Sequence, residues 1–244
     1  MFEGKKYTLE DYLYLIKLFQ RTEKYPEMVK AINKYVEQNP ILSKEEQKML
    51  CDGYKNIISD KRNSLRLLNN LSKKEEEEAK QINHKKQILI MKEKIQNELI
   101  LIFKEIHSML DKYLIPNSQD SETKVFYMKI KADYYRYHCE FAEGDEFQEA
   151  KNNAEKIYKE AYELALKDIN VYNSTRLGLA LNYSVFEYEI MDNKNEACEI
   201  AQKAYDESMK VVDDVEKRRT SDNLLLIQLL KENLNLWNNE METD

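Results

Sequence analysis

Apolar residues recur along most of the chain at intervals of three and four, the spacing that places them on one face of an α-helix. In residues 9–21, for example, Tyr12, Ile16 and Phe19 fall on one side of the helix. Segments of predicted helix cover most of the sequence, at residues 9–21, 26–39, 43–74, 85–114, 124–140, 148–167, 176–191, 196–212 and 221–238. The pattern therefore predicts a chain that is nearly all helix.

Short signals between these segments mark where helices begin and end. Pro26 fits the first turn of a helix, where its missing N–H group costs little. Ser43 is followed three residues later by Glu46, which is the spacing of a capping box. Pro116 ends one helix, and Gly144 marks a turn between two others. The whole sequence contains only 4 Gly and 3 Pro, which leaves little room for tight β turns and supports an all-α fold.

Composition and charge argue against several classes of protein. Charged residues make up 34% of the 244-residue chain, and the mean hydropathy is −0.75, as expected for a soluble protein with wide polar helix faces. No apolar run approaches the roughly 18 residues of a membrane span, so we expect no membrane insertion. The formal net charge of −7 argues against general nucleic-acid binding.

The cysteines and the first residues bear on the compartment. Cys51, Cys139 and Cys198 are odd in number and far apart, which argues against a disulfide framework. The N-terminal segment lacks the long apolar core of a secretory signal. Both features favour a reducing compartment, and we expect the protein in the cytoplasm or the nucleus.

Catalytic patterns are missing from the sequence. The histidines His84, His107 and His138 have no metal-ligand spacing, and no glycine-rich phosphate loop or paired nucleophile and base is present. We therefore expect a protein that is not an enzyme and that holds no metal and no cofactor. His138 lies on the apolar face of its helix, where a core histidine with a hydrogen-bond partner is the ordinary interpretation.

Helix 124–140 gathers polar groups of opposite sign on one face. At 100° per residue, Lys129, Asp133, Arg136 and Tyr137 fall within a quarter-turn of one another. Two cations and a phenol suit an anion with several acceptor oxygens, such as a phosphate. The alternative is a solvated charged face, which is the commoner use of such a pattern.

A second row of cations lies on helix 43–74. Lys55, Arg62 and Arg66 share one face, and aligned like charges are unfavourable unless something compensates them. The compensating group is either a bound anion or acidic side chains of another helix, and the spacing leaves both interpretations open.

Two helices near the end of the chain mix apolar and amide side chains on one face. In residues 176–191, Leu181, Asn182, Val185 and Glu189 lie within about 100° of one another. In the last helix, Asn233 interrupts an apolar stripe, and an amide in such a place must be hydrogen-bonded. Peptide backbone is one candidate partner, whereas ordinary core is the plainer interpretation of the leucines. The apolar members of that stripe are Leu226, Leu229, Leu236 and Trp237.

Four segments together resemble the 14-3-3 family. They are GYKNIISDKRNSLR, KVFYMKIKADYYRY, RLGLALNYSVFEYEI and SDNLLLIQLLKENLNLW, and the likeness extends from about Tyr7 to Trp237 in the same order and spacing. It implies nine antiparallel helices in each protomer, arranged as a cup with a concave peptide groove. It also implies one domain over residues 1–238, followed by a short acidic tail at 239–244.

The resemblance further implies the function. Members bind segments of client proteins that carry phosphoserine or phosphothreonine, and act as signalling adaptors. The matching phosphate-binding positions are Lys55, Arg62, Arg136 and Tyr137. The matching groove positions are Lys129, Leu181, Asn182, Val185, Glu189, Leu226, Leu229, Asn233 and Trp237. Asn182 and Asn233 correspond to amides that hold the client backbone, and we expect Asp133 to orient the arginines.

Dimerisation follows from the same resemblance, as a homodimer or as a heterodimer with a related protomer. The matching interface positions are Leu18, Thr22, Lys24, Glu27, Ser64, Met91, Lys94 and Glu98. The chain departs from the common family pattern at Leu65 and Met91, where tryptophan and tyrosine are usual. The alternative function is a dimeric helical scaffold with a weak or closed groove and phosphate-independent partners.

Overall fold

A computed structural model describes residues 7–77, 82–212 and 221–243. Within these ranges the chain forms nine α-helices, one π-helical segment and no strand, which confirms the all-α prediction and its number of helices. The helices are α1 Leu9–Arg21, α2 Tyr25–Gln38, α3 Lys44–Glu77, α4 Ile82–Met109, α5 Ser121–Cys139, α6 Gly144–Asp168, α7 Ser174–Glu189, α8 Lys194–Val212 and α9 Ser221–Thr243. The π-helical segment Leu110–Leu114 follows α4 directly.

Several helix boundaries differ by up to five residues from those that the sequence suggests, and two of these differences change features predicted above. Helix α6 begins at Gly144, four residues before the predicted start, and Gly144 has a φ of +55° that favours glycine. Helix α9 continues to Thr243, so residues 239–243 of the expected tail are helical, while residue 244 lies outside the described ranges. No helix among the described residues is long and apolar enough to cross a membrane.

The chain divides into two compact units, Met1–Asn117 and Ser118–Asp244. The single domain expected over residues 1–238 stays a prediction. In the first unit, α1 packs on α2, α2 on α3 and α3 on α4. Its core contains Tyr12, Ile16, Phe19, Met28, Ile32, Val36, Leu50, Tyr54, Ile58, Leu65 and Leu99.

Local sequence signals fix the helix starts of this first unit. Thr8 and Asp11 form a reciprocal capping box at α1, and Ser43 and Glu46 form the predicted one at α3. Gly53 of α3 faces α2, where an added Cβ atom would lie 3.2 Å from a methyl carbon of Val29. Glycine therefore allows close packing of these two helices.

The second unit packs α5 on α6, α6 on α7, α7 on α8 and α8 on α9, and α7 also contacts α5 and α9. Helix α6 turns four buried alanines towards its neighbours, namely Ala150, Ala154, Ala161 and Ala165. A core cluster joins α7, α8 and α9, and includes Leu177, Ala197, Ala201, Ile227, Leu230, Leu234 and Trp237. The small residues let helix backbones approach closely. Helix α7, which carries several predicted site residues, is thereby held from both sides.

Candidate functional site

Asp133 of α5 is the centre of a hydrogen-bond cluster in the second unit. Lys129, one turn earlier, places its Nζ atom 2.8 Å from Asp133 Oδ2. Tyr158 of α6 donates its hydroxyl proton to Oδ1 over 2.5 Å. Asn182 of α7 places its Nδ2 atom 2.9 Å from each carboxylate oxygen. One carboxylate therefore connects three helices and positions two of the predicted groove residues, Lys129 and Asn182.

The buried carboxylate of Asp133 carries its charge because its partners compensate it. Its residue is only 6% exposed, and burial alone would raise its pKa. The charges of Lys129 and Arg136, with hydrogen bonds from Lys129 and Tyr158, outweigh burial and hold the pKa below its ordinary value. Burial and the nearby Asp133 raise the pKa of Tyr158 well above its ordinary value, so this phenol stays a neutral donor.

Arg136 is a buried cation with few partners. The residue is 8% exposed, and its guanidinium carbon lies 4.7 Å from the centre of the Tyr137 ring. The carboxylate oxygen closest to Arg136 belongs to Glu189 and lies 3.9 Å from Nη1. The Glu189 side chain is mostly exposed. The buried Nε atom has no hydrogen-bond partner among the described residues. Such incomplete pairing of a buried charge is unfavourable and typical of a site that completes it with a ligand.

The charge of Arg136 is secure in this environment. Burial alone would lower the pKa of the guanidinium. The electrostatic influence of Tyr158, Asp133 and Tyr137, together with a hydrogen bond to the Tyr158 hydroxyl, outweighs burial and raises the pKa above its ordinary value. In the described part of the chain, Asp133 forms no hydrogen bond with Arg136. The expected orienting role of Asp133 therefore falls on Lys129 and Asn182, while Asp133 influences Arg136 through its charge.

The predicted apolar wall lies along α7 and α9. Leu181, Val185 and Leu226 are partly buried and pack against the core cluster of the second unit. Leu229 is also partly buried. Trp237 is only 4% exposed and stacks on Tyr188, with ring centres 4.7 Å apart, so it lies mainly in the core.

Asn233 of α9 is half-buried, and its amide forms no hydrogen bond with other described residues. The sequence required a partner for this amide, and no protein group described here supplies one. A peptide backbone stays a candidate.

Lys55 and Arg62 lie on α3, two turns apart on one face. Lys55 is exposed, and Arg62 is partly buried. Both belong to the first unit, whereas Arg136 and Tyr137 belong to the second. The common phosphate site of these four residues therefore stays a prediction.

A family model described as "14-3-3 protein" matches residues 15–238, which is most of the chain. The chain belongs to the 14-3-3 family. Human 14-3-3 protein beta/alpha is 40% identical over 228 residues, which cover 93% of this chain and 92% of the human protein. The 14-3-3-like protein C of Glycine max is 38% identical over 235 residues, covering 96% and 91% of the two chains. Protein BMH2 of Saccharomyces cerevisiae is 39% identical over 234 residues, covering 96% of this chain and 86% of the yeast protein.

The interface positions expected of a 14-3-3 chain lie in its first unit. Leu18 is 40% exposed and Met91 is 53% exposed, which is high for apolar side chains. Thr22, Lys24 and Lys94 are also exposed, whereas Glu27, Ser64 and Glu98 are partly buried. Glu98 forms an ion pair with Lys61 of the same chain, so its predicted pair with Lys24 of another protomer would compete with this contact.

Sequence analysis missed two residues of this candidate site. Tyr158 occupies an apolar stripe of α6, and its hydroxyl gives no sequence signal of a polar partner on α5. Gly178 lies beside the Lys129 side chain, whose Cε atom would be 3.6 Å from an added Cβ atom. Its position within RLGLALNYSVFEYEI was the available signal, since a glycine inside a helix often allows a close approach.

Proposed function

We propose that this 14-3-3 chain is an adaptor that binds client segments carrying phosphoserine or phosphothreonine. The observation that carries the proposal is the buried, charged and incompletely paired guanidinium of Arg136 next to Tyr137. An arginine in this state favours an anionic ligand that offers several acceptor oxygens.

The chemistry of a phosphorylated residue fits the predicted group. A phosphoserine carries about −1.5 to −2 charges and three strong acceptor oxygens. Arg62 and Arg136 offer paired N–H donors, Lys55 a point charge and Tyr137 an O–H group. Hydrogen bonds to charged groups contribute about 1.5–3 kcal/mol each. An unmodified serine offers one hydroxyl and leaves these cations unpaired, which is the basis of the proposed selectivity.

The amides explain how clients of varied sequence could share the groove. Asp133 holds Asn182 by its N–H side, so the carbonyl oxygen of this amide is available to a backbone N–H of the client. Asn233 supplies a second amide without a protein partner in the described chain. Backbone carries no side-chain information, and we therefore infer a broad range of phosphorylated clients.

We further propose that the protein works as a dimer in the cytoplasm or the nucleus, as an adaptor rather than an enzyme. The alternative is a helical scaffold whose partners bind without phosphate. The intact set Lys55, Arg62, Arg136 and Tyr137 favours the adaptor, since a scaffold has no need of a buried arginine with few partners.

One titration separates the two functions. A labelled phosphoserine peptide library and its unphosphorylated copies are titrated with the full-length protein, and binding is followed by fluorescence anisotropy. We expect saturable binding of phosphorylated peptides only. Equal binding of both sets, or binding of neither, contradicts the adaptor proposal.

A further inference from the structure

A cavity lies wholly within the first unit, between α2 and the end of α4 with its π-helical continuation. Its volume is about 450 Å³, which is within the range of small-molecule sites. The residues that line it are Lys30, Asn33, Lys34, Glu37, Glu105, Ser108, Met109, Lys112 and Tyr113. None of them belongs to the predicted client site or dimer interface.

The π-helical segment shapes one wall of this cavity. Leu110 and Leu114 are fully buried in the core, so they anchor the widened turn from the inside. Lys112 and Tyr113 lie between them in sequence and line the cavity. Single π turns within helices are rare and occur frequently at functional sites. The backbone departs from α-helical geometry where it supplies two donors to the cavity.

Both carboxylates of the cavity already have partners. Glu37 forms an ion pair with Lys34 over 2.7 Å. Glu105 accepts hydrogen bonds from Asn33 and from the hydroxyl of Tyr54. Tyr54 is buried, and its single hydroxyl proton is shared between Glu105 at 3.3 Å and the side-chain carbonyl oxygen of Asn33 at 2.8 Å. Lys34 neutralises Glu37, and neutral donors satisfy Glu105. With Lys30 and Lys112 also in the lining, the cavity carries more positive than negative groups.

Four donors are left over once these pairs are assigned. The ammonium groups of Lys30 and Lys112 and the hydroxyls of Ser108 and Tyr113 form no hydrogen bond or ion pair with any described residue. Two ammonium groups can only donate, and two hydroxyls are free to donate. Their complement is a group with several anionic oxygens. Met109 adds an apolar surface beside them.

We propose that this cavity is a second anion site, which binds a small organic phosphate monoester. Its volume exceeds the roughly 30 Å³ of a water molecule many times, so it accommodates more than a bare phosphate ion. The phosphate group pairs with Lys30 and Lys112, and the organic part covers Met109. The site stands independently of the proposed client groove, since every residue that lines it lies in the first unit.

Phenyl phosphate is the probe, with phenol and inorganic phosphate as comparisons, and binding is measured by calorimetry at low salt. The protein carries Arg62→Ala and Arg136→Ala, so that the predicted client site does not contribute to the signal. The test variant is Lys30→Gln/Lys112→Gln. Its matched control is Lys48→Gln/Lys104→Gln, which makes the same change in net charge at two exposed lysines of α3 and α4 outside the cavity.

We expect phenyl phosphate to bind at least about tenfold more weakly to the test variant, a loss of about 1.4 kcal/mol, and unchanged to the control. Phenol should not bind, and inorganic phosphate should bind more weakly than phenyl phosphate. A ¹³C-methyl signal of Met109, assigned by Met109→Leu, should shift only with phenyl phosphate. Equal losses in both double variants, no binding to the starting protein, or an unmoved Met109 signal would overturn the proposal.

Discussion

The Nδ2 atom of Asn182 lies 2.9 Å from both carboxylate oxygens of Asp133, so an amide of α7 and a buried carboxylate of α5 hold each other in place. The contact fixes which side of the amide faces the protein, and its carbonyl oxygen is left for another partner. It also makes the geometry of the candidate site depend on the charge of one residue. The first two predictions test this dependence.

Asp133→Ala should destabilise the protein by about 3–5 kcal/mol, because it removes the buried carboxylate that compensates the charges of Lys129 and Arg136. Urea denaturation at pH 7 measures the free energy of unfolding. The matched control is Asp60→Ala on an exposed site of α3, where we expect a change within about 0.5 kcal/mol. Similar values for both variants would show that the Asp133 cluster contributes little to stability.

The stability provided by Asp133 should also depend on pH in a defined direction. Its pKa is lowered in the folded protein, so the stabilisation is fully present above the unfolded pKa of about 3.9. It is lost as the pH falls through the folded pKa. The difference in unfolding free energy between wild type and Asp133→Asn should therefore be constant from about pH 7 to pH 5 and shrink below about pH 4. Urea titrations at several pH values measure it, and a difference that grows on acidification contradicts the prediction.

Arg136→Lys should weaken phosphopeptide binding by at least about tenfold although the positive charge is kept. Lysine lacks the planar set of donors and the stacking on Tyr137, and its hydrated ammonium group is costly to bury. Arg136→Ala and Arg62→Ala should abolish measurable binding. Calorimetry on proteins with unchanged helix content decides the matter. Affinity within about threefold of wild type, well under 1.4 kcal/mol, would exclude these arginines from the site.

Sequence spacing reached part of this site and missed the rest for a physical reason. Lys129 and Asp133 are four residues apart on one helix, so their contact follows from helix geometry alone. The contacts of Asp133 with Tyr158 and Asn182 span 25 and 49 residues and depend on how α6 and α7 pack. The helix starts at Ser43 and Pro26 were also predictable from the sequence, since each depends on neighbouring residues only.

The π turn after α4 shows a similar limit. Leu110 and Leu114 are four residues apart, a spacing that fits an ordinary α-helix equally well, and the sequence predicts one helix over 85–114. Burial of Trp237 is a second case, since its stripe on α9 is compatible with both core and groove wall. In both cases the hydrophobic pattern of the sequence is compatible with two local structures, and the tertiary contacts determine which of them forms.

Asn233→Ala should weaken all phosphopeptides by similar factors, because its amide is proposed to hold the client backbone. It is a cleaner variant than Asn182→Ala, which also removes a partner of the buried Asp133 carboxylate. Affinities for several phosphopeptides of unrelated sequence provide the measurement. If Asn233→Ala changes the preference among peptides and leaves other affinities intact, the backbone role is wrong.

A further prediction concerns association through the first unit. Exposed ion pairs contribute about 0–1 kcal/mol each, so burial of Leu18 and Met91 must provide most of the stability of a dimer. Glu98 is already paired with Lys61, which reduces the gain from a new pair with Lys24 of another protomer. We therefore expect a homodimer. Its association should be weaker than it would be if Glu98 had no ion-pair partner within its own chain. Sedimentation equilibrium should show a species heavier than 29.2 kDa at micromolar concentration, and a protein that stays at that mass contradicts the prediction.

Ser64 offers a way to weaken such a dimer by charge. Its side chain is partly buried and donates to the carbonyl oxygen of Asp60 over 3.0 Å. It follows Lys61, Arg62 and Asn63, a basic run that a kinase could recognise. A phosphate there would bring about two negative charges into a packed contact. Ser64→Glu should therefore shift the protein towards monomer, whereas Ser64→Gln, of the same size without the charge, should shift it less. If sedimentation gives equal dimer affinities for these two variants, the size of the new side chain, and not its charge, weakens the dimer.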